Sequence, residues 1–144
     1  MQTNAGVPKE ALRVTAAEHA ARVPGLELVV LFGSVASGVA RPDSDADIGV
    51  LGGGFWQQLQ IASKLAAELG REPHVVDLGQ VPEALAYEIA RTGLPLFEAE
   101  PFVWARFQAR TALRFFDFQA ARERCVEGVR RRVLAEVAGK ASVG

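Results

Sequence analysis

Residues 26–54, LELVVLFGSVASGVARPDSDADIGVLGGG, decide the fold. Leu26–Phe32 is an apolar run too short for a helix and rich in branched side chains, which predicts a buried strand. Gly33-Ser34 ends it, and Val35-Ala-Ser37-Gly38 reads as a small-residue turn that lets backbone amides approach a ligand closely. After the turn-rich Ala40-Arg-Pro-Asp-Ser44, the residues Asp45, Asp47 and Gly49 alternate with Ala46, Ile48 and Val50. That alternation predicts a second strand with one acidic and one apolar face, closed by Gly52-Gly53-Gly54.

The flanking sequence supplies the layers for these strands. Lys9–Val23 carries apolar residues at helical spacing, with Pro8 at its first position and Pro24-Gly25 as its stop. Phe55–Leu69 repeats the pattern through Trp56, Leu59, Ala62, Leu65, Ala66 and Leu69, with Gly70 placed for a left-handed cap. His74–Leu78 is short and branched enough for a third strand, and Pro82 opens a helix through Ala90 that Gly93 closes. Leu94–Glu98 predicts an edge strand, because Pro95 cannot donate to a ladder. From Pro101 to Val137 only Gly128 interrupts a helical pattern, so the tail predicts one long helix, or two with a break between Asp117 and Gly128. The order α, β, β, α, β, α, β, α specifies an α/β (α+β) sandwich: a small mixed sheet flanked by helices, with a long C-terminal helix.

The chain has 144 residues, enough for one domain at roughly 100–200 residues each, here 1–144 with a core at about 10–100 and a helical segment at 101–138. With 49% hydrophobic and 23% charged residues it reads as a globular protein rather than a disordered one. No apolar run reaches a membrane span and the start lacks signal-peptide features, so a cytoplasmic address is expected. A single cysteine, Cys125, excludes an internal disulfide and a multi-cysteine zinc site, so any metal must sit on oxygen ligands. Cys125 itself reads as a helical packing residue, and His19 and His74 have no companions that would make them ligands or bases. The net charge of −1 divides into −6 over residues 1–100 and +5 over 101–144. The basic part is therefore the tail, where Arg106, Arg110 and Arg114 form a stripe. A pI near 6.1 argues against a dedicated nucleic-acid binder. Of the aromatic residues on the tail, Phe102, Trp104, Phe107, Phe115, Phe116 and Phe118, most are expected in the core, the rest being available to a homo-oligomer or a partner.

The chemistry begins with Asp45 and Asp47. Two apart on a strand, their carboxylates leave the same face and repel unless a divalent cation lies between them. Mg²⁺ suits such a site, since it takes one or two carboxylates plus substrate phosphates. Upstream, the amides after Gly33 and the Ser34 hydroxyl can hold a triphosphate against that metal. The segment is neither a Walker A loop, lacking Gly-Lys-Ser/Thr, nor a dinucleotide fingerprint, lacking G-x-G-x-x-G. Asp77, at the end of the third strand, is the candidate third carboxylate, either completing a metal cluster or acting as general base toward an acceptor hydroxyl.

Gly33-Ser34, ten intervening residues, Asp45-x-Asp47 on a strand and an aspartate on the next strand together resemble the minimal nucleotidyltransferases of the DNA polymerase beta superfamily. Tyr87–Phe97 is similar to that family's helix and edge strand, and the likeness covers about residues 10–100. The resemblance implies transfer of a nucleoside monophosphate, AMP from ATP foremost, to a hydroxyl with pyrophosphate leaving. Gly33, Ser34 and Ser44 would then contact the nucleotide, Asp45 and Asp47 would ligate Mg²⁺, and Asp77 would join the metal or activate the acceptor. The chain departs from the family's Gly-Ser-x-Ala-Arg-Gly by carrying Ser37; Arg41 lies close enough in sequence to substitute, but reads first as a surface arginine before a turn. Small members of the family act as antitoxins that adenylylate a helical toxin of the HEPN type, which makes such a protein the expected partner. Two other readings stay open: a nucleotide-binding subunit that works by occluding its partner, and a small-molecule nucleotidyltransferase, which the chain's length disfavours.

Overall fold

Leu28–Phe32 (β1) is buried along its whole length because it lies inside a sheet covered on both faces. The computed structural model describes residues 6–143. Around β1 the chain places α1 (Lys9–Ala20), α2 (Gly33–Ser37), β2 (Ala46–Leu51), α3 (Phe55–Glu68), β3 (Pro73–Asp77), α4 (Glu83–Thr92), β4 (Leu94–Glu98) and α5 (Val103–Val143). The sheet order is β3-β2-β1-β4, with β1 antiparallel to β2 and β4, and β2 parallel to β3. The parallel pair is possible because α3 supplies the crossover that such strands require. As expected, β4 is an edge strand, and its Pro95 lies opposite Val30 beside a register shift.

Strand alternation sends Val29, Leu31, Ile48 and Val50 to one core, where Leu12 and Ala16 of α1 and Ile61, Ala62 and Leu65 of α3 cover them. Leu28, Val30 and Phe32 point the other way and meet Leu78, Ile89, Val103 and Phe107. Helices α4 and α5 therefore cover the second face, and that is the face on which Asp47 stands. Removing a fully buried side chain such as Leu31 or Leu65 to alanine would cost about 2–5 kcal/mol.

Several boundaries and environments differ from the sequence reading. The small-residue stretch after β1 is a one-turn helix, α2, rather than a plain turn, with Gly38 in the left-handed conformation at its end (φ 76°). Helix α1 stops at Ala20, before Pro24-Gly25, and α5 runs unbroken through Gly128. Trp56 sits on the expected apolar face of α3 yet is 71% exposed, because α3 buries Gln58, Ile61, Ala62, Leu65 and Ala66 instead. Of the tail aromatics only Phe107 is buried; Phe102, just before α5, and Phe116 and Phe118 on it are exposed, and Cys125 is exposed rather than packed. All residues from 121 to 140 face solvent, since α5 is longer than the sheet it covers.

Candidate active site

The site grows from the junction of β1, α2 and β2. Phe32 at the end of β1 pairs with Asp47 on β2, so the chain turn at Gly33 lies directly against that carboxylate. Gly33 has φ 75°, and a Cβ there would collide with Asp47 Oδ2. Glycine is required twice over, for the left-handed backbone and for the space the carboxylate fills. Ser34 follows in the first turn of α2, close to the same carboxylate in the chain path.

Asp47 is held from its other side. In the parallel ladder it lies opposite His74 of β3, and the imidazole Nδ1–H donates to Asp47 Oδ1 at 2.8 Å. One oxygen is thus committed to His74 while Oδ2 lies in the notch left by Gly33. His74, without companions in the sequence, gains one in Asp47 through the fold. The signal that finds it is the register of two parallel strands, which spacing along one strand does not carry.

Asp45 immediately precedes β2, is exposed and makes no side-chain hydrogen bond or ion pair among the described residues. Its approach is fixed by the loop before it. The Arg41 amide donates to Ser44 Oγ at 2.9 Å, and Arg71 Nη1 donates to the carbonyls of Arg41 and Ser44 at 2.8 Å each. Ser44, expected to contact nucleotide, spends its hydroxyl on this turn as an acceptor. Arg41 makes no ion pair among the described residues.

Asp77 does not join the pair. It lies opposite Val50, three ladder steps beyond the Asp47–His74 rung, or about 10 Å along the sheet. An odd number of steps also turns its side chain toward the opposite face of the sheet. Its Oδ1 accepts the Gly79 amide at 2.9 Å, a short local turn that closes β3. No group of three His, Cys, Asp or Glu side chains is arranged to hold a metal ion among the described residues. The expected cluster of three carboxylates is replaced by two carboxylates, one of them clamped by an imidazole.

The family profile described as polymerase beta, nucleotidyltransferase matches residues 15–101. The protein adenylyltransferase MntA of Shewanella oneidensis is 29% identical over 125 residues, covering 85% of this chain and 86% of that protein. A crystal structure of a toxin-antitoxin with AMP-PNP superposes with a TM-score of 0.64 at 26% identity, over 81% of this chain and 97% of that one. A structure of a tri-AMPylated Shewanella oneidensis HEPN toxin in complex with MNT antitoxin shares the fold, with a TM-score of 0.61 at 23% identity over 84% and 98% of the two chains. No described helix is long and apolar enough to cross a membrane. The profile spans most of the chain, all four strands and the whole of the Gly33–Asp47–His74 site, and the chain belongs to the polymerase beta nucleotidyltransferase family.

Proposed function

We propose that this nucleotidyltransferase uses Mg²⁺ to move AMP from ATP to a hydroxyl on a helical partner protein of the HEPN type. The observation that carries the reading is the fixed Asp47 carboxylate in its glycine notch, beside an unpartnered Asp45. The relatives support the nucleotide and the partner: one is named a protein adenylyltransferase, one structure contains AMP-PNP, and one contains an AMPylated HEPN toxin.

The residues present fit a divalent cation. Asp47 Oδ2 and both oxygens of Asp45 are hard donors with no competing cation, and two carboxylates plus phosphate oxygens are an ordinary Mg²⁺ environment. Bound there, the cation would neutralise the charge on the transferring phosphoryl group. The chain supplies positioning. Gly33 keeps the α2 backbone close, Ser34 offers a hydroxyl and an amide to the triphosphate, and His74 keeps Asp47 from rotating away. In the transfer itself the acceptor oxygen forms a bond to the α-phosphorus, the bond to the pyrophosphate oxygen breaks, and the hydroxyl proton passes to solvent water. Such transfers depend mostly on alignment and electrostatic stabilisation. Asp77, at its distance, serves the turn after β3 and not the reacting hydroxyl.

Incubation with a HEPN-type partner protein, Mg²⁺ and ATP should add one or more AMP masses to that partner, read by intact-mass spectrometry. Neutralisation of the partner without added mass, with any of the four nucleoside triphosphates, would favour the occluding subunit and overturn the transferase reading. Label on a small aminoglycoside-like acceptor alone would shift the acceptor class.

A further inference from the structure

A second cavity, of about 370 Å³, opens between the β3–α4 turn and α5. Leu51, at the end of β2 and about 13 Å along that strand from Asp47, and Leu78 line it on the α4–α5 side of the sheet. Its volume falls within the range of small-molecule sites, about 300–1,000 Å³.

The lining is unusual for a gap between helices. Thr111 of α5 is 5% exposed, yet its hydroxyl makes no hydrogen bond among the described residues. A buried hydroxyl without a partner is costly unless something reaches it. His19 Nε2 is the one fully enclosed side-chain polar atom lacking a partner among the described residues, so the Thr111 hydroxyl is reached from the cavity. Arg110 and Arg114, one turn apart, line the same cavity, and neither forms an ion pair. Glu83 is the one carboxylate on the lining, and Gln80 adds an amide. Two guanidinium groups without ion pairs and an unpartnered hydroxyl on one lining form a donor-rich site with a net positive charge. Paired arginines match the oxygens of phosphate, which they bind through two parallel hydrogen bonds each.

We propose that this cavity is a second, metal-independent binding site for a phosphate-bearing small molecule, with Arg110 and Arg114 on the phosphate oxygens and Thr111 donating from the wall. The phosphate can come from a nucleoside monophosphate or from free phosphate or pyrophosphate, and the chemistry of recognition is shared. The site does not depend on the transfer reaction, so it is tested with the catalytic carboxylates silenced.

The experiment uses the full chain carrying Asp45→Asn and Asp47→Asn, in EDTA, titrated by calorimetry with inorganic phosphate, pyrophosphate, AMP and adenosine. Saturable binding of at least one phosphate compound, and not of adenosine, is expected. Arg110→Gln with Arg114→Gln should weaken it about tenfold or more, and the near-isosteric Thr111→Val by about three- to tenfold. AMP binding tighter than phosphate identifies a nucleotide as the source; equal binding identifies free phosphate. Circular dichroism checks that the variants fold, and Thr111→Val stands as an independent test should the arginine pair not. Absence of binding by all three phosphate compounds, affinity unchanged in the folded variants, or adenosine binding as well as AMP would overturn the proposal.

Discussion

The two ends of the β2–β3 pair carry an aspartate each and treat it in opposite ways. At one end Asp47 is fixed from two sides, by His74 and by the space above Gly33, and leaves one oxygen toward the α2 turn. At the other end Asp77 accepts the Gly79 amide and finishes the strand. Both residues fall on strands expected from the sequence, and both look catalytic there. The difference arises from register: with Asp47 against His74, the parallel ladder must bring Asp77 against Val50. A carboxylate's role in a sheet is thus set by its rung and face more than by its neighbours along the chain.

The strongest way to break this contrast is to neutralise both ends separately. Asp47→Asn should lower AMP transfer by about 10²–10³-fold or more, since a charge aimed at the reacting phosphates is lost. Asp77→Asn should lower it by less than about tenfold while costing about 1 kcal/mol of stability, because the Gly79 amide keeps only an amide oxygen as acceptor. Quantitative mass spectrometry of the partner, with urea unfolding alongside, separates the two. Equal and large losses of transfer would restore Asp77 to the reacting centre.

Gly33 sharpens the comparison through stability. Gly33→Ala would put a side chain into the space of Asp47 Oδ2 at a left-handed φ, and about 2–4 kcal/mol of destabilisation is expected from clash and backbone strain together. Gly79 lies at the Asp77 end, where a Cβ would come no closer than 3.3 Å to Asp77 Oδ1 and its φ is not in the left-handed range. Gly79→Ala should therefore cost under about 1 kcal/mol. Thermal melts of the two variants should differ by several degrees, and similar melts would mean that the notch at Gly33 relaxes easily.

Much of this was legible in the sequence because the strongest signals there are local. The apolar run 28–32, the Asp45–Val50 alternation, Gly70 after α3 and Pro95 on an edge strand each report a short-range rule, and the strands fall where those rules place them. What failed was non-local. His74 became part of the site only through pairing with β2, Asp77 left it for the same reason, and Trp56 lost its core position because the sheet meets α3 on another stripe. Ser34 and Ser37 flank residues small enough for a turn or a helix, and docking against β1, β2 and α4 decides for helix. The long α5 kept its helix across Gly128 because neighbouring turns carry it, even where no tertiary contact does.

The smallest effect concerns neither aspartate but the pH at which the two ends can be compared. His19 on α1 has its Nε2 enclosed without a partner, and desolvation, followed by the charges of Lys64 and Arg22, holds its pKa below the usual 6.5. Protonation is therefore harder in the folded protein than in the unfolded chain. Well above pH 6.5 both states are neutral at this residue and it adds nothing to the pH dependence. As pH falls through 6.5 the unfolded chain takes up the proton first, and stability declines until the folded-state pKa is passed, where the loss levels off. His19→Gln should flatten the decline in urea midpoint between about pH 7 and pH 5 without altering stability at pH 8 by a comparable amount. Since the charges acting on His19 are those of Lys64 and Arg22, the Asp77 variant should show the same pH slope as the parent protein. A slope unchanged by His19→Gln would remove His19 from the account.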